Sequence, residues 1–141
     1  MVAPRSLKHA RILIVDDERE EVELLTRMLQ GAGFARIEST TDPRQAASLY
    51  VDFRPDLILL DFHMPHMDGV AVMDELNQVA EASYLPILML TGEMTPEARR
   101  EALSRGAKDF VNKPFHAEEA LVRIRTPVSY THLTLPTNRE V

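Results

Sequence analysis

The chain has 141 residues, 45% hydrophobic and 27% charged, the length and mixture of one ordinary globular domain. A net charge of -6 argues against a nucleic-acid surface on this domain, and the absence of cysteine excludes a disulfide framework or a thiolate zinc site. No run is long enough to span a bilayer, and Met1 to Ala10 lacks a signal peptide's apolar core, so residues 1–10 read as a leader and the default location is cytoplasmic.

Arg11 to Val15 is short, apolar and β-branched, which predicts a buried strand. Asp16-Asp17-Glu18 follows, acids that suit the positive end of a helix dipole. Val22, Leu25, Met28 and Leu29 recur at helical spacing until Gly31 and Gly33 end the pattern. Arg36 to Thr40 predicts a second strand. Thr41 or Asp42 then caps a helix that has Pro43 in its first turn and breaks at Arg54-Pro55. Leu57 to Leu60 is a third strand, ending at Asp61. The loop from Phe62 to Gly69 leads into a helix through Val79 or beyond. Leu85 to Leu90 is a fourth strand, ending at Thr91-Gly92. Thr95-Pro96-Glu97 opens a helix that stops at Gly106. Asp109 to Val111 is a fifth strand, followed by Asn112-Lys113-Pro114-Phe115, and Ala117 to Thr126 begins a last helix that Pro127 interrupts.

Strands alternating with helices predict an α/β fold, a doubly wound parallel sheet of five strands with helices on both faces. Right-handed crossovers leave few topologies, and the flavodoxin-like order 2-1-3-4-5 suits this length. Sites in such sheets form outside the carboxyl ends of the strands. Asp16, Asp17, Asp61, Thr91 and Lys113 all sit there. Three carboxylates, one hydroxyl and one ammonium at one edge fit a magnesium-assisted phosphoryl-accepting site.

The end of the chain departs from this pattern. Back-translated, Val128 to Thr137 resembles read-through of a transposase-based sequencing-library adapter, with the residues before Val141 drawn from a variable index. The expected division is a domain over 11–126 with a shortened last helix, and a non-native segment over 127–141.

The combination Ile-Val-Asp16-Asp17-Glu18, Leu-Leu-Asp61-Phe-His-Met64-Pro65-His-Met-Asp68-Gly69, Leu-Thr91-Gly92 and Lys113-Pro114-Phe115 resembles the receiver domain of bacterial two-component response regulators, from about Arg11 to Thr126. The resemblance implies that Asp61 accepts a phosphoryl group from a sensor histidine kinase or phosphotransfer protein. It implies that Asp16, Asp17, Asp61 and the backbone carbonyl of His63 hold Mg²⁺, that Lys113 pairs with Asp61 or a phosphoryl oxygen, and that the Thr91 hydroxyl bonds the phosphoryl group after transfer. Thr91 and Phe110 become the switch pair, changing the surface of the helix after Thr91, the fifth strand and the last helix. Phe110 lacks the hydroxyl of the tyrosine version of that switch. The Lys113-Pro114 bond is expected to be cis. The resemblance implies a signalling domain rather than an enzyme, one that takes part in its own phosphoryl transfer and slow dephosphorylation. It also implies a possible fused output (DNA-binding, cyclic-dinucleotide or kinase) and phosphorylation-dependent dimerisation.

Each motif alone has a plainer reading: Asp16-Asp17-Glu18 as a helix start, Met64-Pro65 with Asp68-Gly69 as a turn, Thr91 as a strand-end hydroxyl, Lys113 as a surface lysine. Their occurrence in order reverses those readings. His63 and His66 have zinc-like spacing but no third ligand, and read as loop histidines, with His63 placed to tune dephosphorylation. Met64, Met67, Met73 and Met89 read as packing. An aspartate-nucleophile phosphatase would resemble Asp-x-Asp-x-Thr after the first strand, and here the nucleophile follows the third. A phosphorylation-independent interaction domain would normally lack one of the acids, the threonine or the lysine. A flavin or nucleotide binder needs a Gly-rich or hydroxyl-rich loop where Asp16-Asp17-Glu18 stands.

Overall fold

A computed structural model describes residues 8–80, 86–92 and 94–133, the last eight by backbone alone. Strands β1 (Arg11–Val15), β2 (Arg36–Thr40), β3 (Leu57–Asp61), β4 (Ile87–Thr91) and β5 (Ala107–Asn112) alternate with helices α1 (Arg19–Gly31), α2 (Ala46–Phe53), α3 (Gly69–Val79), α4 (Pro96–Ser104) and α5 (Ala117–Leu133). All pairings are parallel, in the order β2-β1-β3-β4-β5. This is the doubly wound α/β sheet expected from the sequence.

The central strands β1, β3 and β4 are nearly continuous apolar runs because both faces are covered. Leu13, Val15, Ile58, Leu60, Ile87, Met89 and Phe110 face one core with Ala46, Tyr50, Val72, Met73, Leu76 and Ala102 from α2, α3 and α4. Ile12, Ile14, Leu57, Leu59, Leu88, Leu90 and Val111 face the other, with Val22, Leu25 and Leu29 of α1 and Ala120 and Ile124 of α5. Burying a Leu- or Ile-sized side chain contributes about 1.5–3 kcal/mol, so these two layers supply most of the driving force for folding.

Side chains close three helical starts. Asp42 accepts from the Arg44 N–H ahead of a single 3₁₀ turn (Pro43–Gln45), Asp68 from Ala71 N–H at 2.9 Å, and Thr95 from Ala98 N–H at 3.1 Å. Arg54, in the left-handed region at φ 56°, ends α2 before Pro55.

Several boundaries differ from expectation; the fourth strand, expected from Leu85, is β4 over Ile87–Thr91 with Pro86 outside it. β5 begins at Ala107 rather than Asp109, since exposed Lys108 and half-buried Asp109 hide the start of the strand in the sequence. The helix α5 continues through Pro127 to Leu133. Proline removes one backbone hydrogen bond and kinks a helix, and that is insufficient to end this one. Leu85, most of the leader (residues 1–7) and the end of the adapter-like segment (134–141) lie outside the described residues, while Ala10 is fully buried.

Candidate functional site

Four adjacent strand ends build the site, those of β1, β3, β4 and β5. Val15 pairs with Leu60, and the chain leaves β1 at Asp16, whose N–H still bonds Thr40 O of β2 at 3.2 Å. Asp61 is the last residue of β3, opposite Leu90, and the Phe62 N–H bonds Leu90 O at 3.0 Å. Thr91 ends β4 opposite Asn112, and the Lys113 N–H bonds Thr91 O at 2.9 Å. Sheet register therefore sets Asp16, Asp61, Thr91 and Lys113 along one edge. The Lys113-Pro114 peptide bond is cis, as expected.

The Lys113 ammonium is the hub. Its Nζ lies 2.9 Å from Asp61 Oδ1, 2.7 Å from Glu21 Oε1 and 3.7 Å from Asp16 Oδ2. Asp16, Asp61 and Thr91 are at most 3% exposed, so these polar groups have little access to water. Asp16 Oδ1 accepts the Glu18 N–H at 3.0 Å, tying the acidic loop to the start of α1. Asp16 Oδ2 and Thr91 Oγ1 are buried without a hydrogen bond, and the buried Glu21 Oε1 has the Lys113 ammonium as its close partner. Polar groups left in that state mark a site built for something more than packing.

The charges shift accordingly. Burial, with the Glu21 carboxylate beside it and the Asp61 charge nearby, pushes Asp16 up to about 8 against the pull of the Glu18 N–H and Lys113. Burial raises Asp61 to about 6, aided by Asp17 and restrained by Lys113. Burial opposes the charge on Glu21, but its contacts with Asp16 and Lys113 outweigh this and lower its pKa. Burial likewise opposes the charge on Lys113, and the bonds to Glu21 and Asp61 override it, so the lysine stays protonated.

Among the described residues, one group of carboxylates is close enough to share a metal ion: Asp16, Glu21 and Asp61, with ligand atoms within 4.8 Å of one another. Asp17 stands outside this triplet, half-buried, although it lies near enough to Asp61 to raise its pKa. Glu21 is absent from the sequence-based set. One signal could have found it: Glu21, Leu25 and Met28 fall on one helical stripe, so a carboxylate stands where that stripe continues toward the strand ends. His63 follows the Asp61 strand end with an exposed ring, edge-on to Phe62 at 4.6 Å between centroids. His66 is exposed too, and neither histidine joins a metal-capable cluster among the described residues. Phe110 is 5% exposed in the core, with the Arg99 guanidinium of α4 lying 4.2 Å from its ring centroid. A cavity lined by Phe62, His63, Met94, Thr95 and Ala98 opens beside the Asp61 loop.

The comparisons with known proteins agree with this architecture. The model of the response regulator receiver domain matches residues 12–125. Response regulator MprA of Mycolicibacterium vanbaalenii is 41% identical over 115 residues, covering 82% of this chain and 48% of that protein. The chain thus spans about half the length of the curated relatives it matches. Chemotaxis protein CheY4 of Vibrio cholerae superposes with a TM-score of 0.78 at 32% identity, covering 83% of this chain and 97% of that one. A chain of the CheX-CheY-BeF3-Mg²⁺ complex of Borrelia burgdorferi superposes with a TM-score of 0.79 at 26% identity, covering 88% and 96%. Among the described residues no helix is long and apolar enough to cross a membrane. With the match running from β1 into α5 and the acids, threonine and lysine gathered at the strand ends, the chain belongs to the response regulator receiver domain family of two-component signalling.

Proposed function

We propose that Asp61 is the phosphoacceptor, receiving its phosphoryl group from the phosphohistidine of a sensor histidine kinase or phosphotransfer protein in a Mg²⁺-dependent reaction. The observation that carries this reading is the convergence of a buried Asp61, the Lys113 ammonium at 2.9 Å, and a buried Thr91 hydroxyl with no hydrogen bond. An Asp61 oxygen attacks phosphorus, the P–N bond breaks, and its electron pair returns to the donor imidazole. Such a transfer needs alignment and charge neutralisation more than bond-making help. Lys113 offsets charge on the transferring oxygens, and Thr91 donates its unused hydrogen to one of them.

The residues fit Mg²⁺: Asp16 Oδ2 is buried without a hydrogen bond, and hard carboxylate oxygens stand beside it. Asp16, Asp17, Asp61 and the His63 carbonyl would hold the ion. When bound, it neutralises the crowded carboxylates and the phosphoryl oxygens together. The Borrelia complex, which contains BeF3 and Mg²⁺, supports the same pairing here. The response is a population shift in which Thr91 moves toward its new acceptor and Phe110 follows, remodelling α4, β5 and α5. That surface then signals to an output domain, a protein partner or a second copy, in the cytoplasm. Asp61→Asn tests the central claim. Incubated with acetyl phosphate and Mg²⁺, the native chain gains the mass of one phosphoryl group and the variant gains none. Undiminished labelling of the variant removes Asp61 as the acceptor.

A further inference from the structure

We infer that Glu21 is a positioning residue of this site, a fourth carboxylate that holds Lys113 and biases the site toward the divalent cation and against the phosphoryl group. The inference rests on the phosphoacceptor reading and adds a residue to it. Glu21 Oε1 is nearer to Lys113 Nζ, at 2.7 Å, than Asp61 Oδ1 is, at 2.9 Å. The glutamate side chain is 24% exposed, yet that oxygen is buried. It therefore acts inside the site and not as a solvated surface acid.

A lysine ammonium has three donors and accepts nothing. Here Asp61, Glu21 and, at longer range, Asp16 face it. A phosphoryl group on Asp61 needs one of those donors, and Glu21 keeps another occupied and fixes where the ammonium sits. Glu21 also adds a negative charge beside Asp16 and Asp61. At such short range, with little water between, this charge attracts a cation and repels an incoming anion. One residue thus acts with opposite sign on the two ligands.

That opposition is the test. Glu21→Gln keeps the shape and removes the charge. Mg²⁺ binding to the purified chain is followed by isothermal titration calorimetry. Beryllium trifluoride binding at saturating Mg²⁺ is followed by fluorine NMR. The expected result is Mg²⁺ affinity weakened and beryllium trifluoride affinity strengthened, each by at least about fivefold, the size of one unit charge at this range even under the screening of bulk water. Glu21→Asp, which keeps the charge, should hold Mg²⁺ within about twofold of the native chain. Should Glu21→Gln fail to fold, Glu21→Met reads the same loss of charge. No change in either affinity, or changes of the same sign, overturns the inference while leaving the Asp61 reading intact. A native chain that binds no beryllium trifluoride in Mg²⁺ overturns both.

Discussion

Gly69 offers a test of how tightly the site's backbone is packed. It opens α3 directly against the end of β3, and its N–H bonds Phe62 O at 2.9 Å. A Cβ built there would lie 2.6 Å from Met89 Cε, 2.9 Å from Asp61 O and 3.1 Å from Phe62 Cα. The methionine tip can swing away at little cost, but the other two atoms are backbone. Gly69→Ala must therefore push the Asp61 peptide or the start of α3. Overpacking of this kind costs about 1–3 kcal/mol, against about 0.4–1 kcal/mol gained from stiffening the unfolded chain. The net loss is about 1–2 kcal/mol, a Tm decrease of roughly 4–10 °C for a domain of this size. Phosphoryl labelling of Asp61 should slow as well. Gly31 is the internal control, because a Cβ there meets nothing within 4 Å. Gly31→Ala should leave Tm unchanged or raise it. Differential scanning calorimetry of the two variants decides the sign. A Gly69→Ala protein as stable as native would refute the claim of backbone contact, and full rescue by adding Met89→Leu would assign the strain to the methionine tip alone.

Two further outcomes follow from the site's charges. Asp16 and Asp61 are raised from 3.8 to about 8 and about 6, so the folded state holds protons the unfolded chain has released. Their stabilising contribution is complete below about pH 4 and is lost as pH rises through 6 and 8. Glu21, lowered, and Lys113, raised, have delivered their contributions and change little between pH 5 and 8.5. In EDTA, Tm should fall from pH 5 to 8.5, and saturating Mg²⁺ should flatten that decline; a level or rising profile in EDTA contradicts the assignment. Lys113→Met removes the cation facing Asp16, Glu21 and Asp61 and should destabilise the metal-free chain at pH 8 by a few kcal/mol, the order seen when one partner of a buried pair is deleted. Mg²⁺ should recover part of that loss in thermal melts, whereas equal losses with and without Mg²⁺ would mean that Lys113 does not neutralise these acids.

The convergence of Asp16, Asp61, Thr91 and Lys113 is legible in the sequence because parallel strands buried on both faces read as unbroken apolar runs, and polar residues that stop such runs stand out. Which core each strand residue faces is not legible, since runs such as Leu57-Ile58-Leu59-Leu60 have no polar alternation to set their phase. Glu21 is hidden for a related reason. Among Glu20, Glu21 and Glu23 it reads as one more helix-surface acid, and only the rotation of α1 on the sheet turns it toward Lys113. Asp109 is obscured in another way: its carboxylate accepts its neighbour's N–H and an Arg123 donor, so a charged residue is accommodated within β5.

The two-sided burial of the central strands leaves their register only loosely specified by hydrophobicity. A one-residue slip of Leu57–Leu60 would exchange one set of leucines and isoleucine for another, and both faces would still find apolar neighbours. What would not survive is the alignment of Asp61 with Leu90. A single-codon deletion within β3 should therefore yield chains that still collapse and keep their helices, yet take Asp61 out of reach of Lys113. In this fold the acids do more than chemistry: they carry the positional information that the oily strands lack.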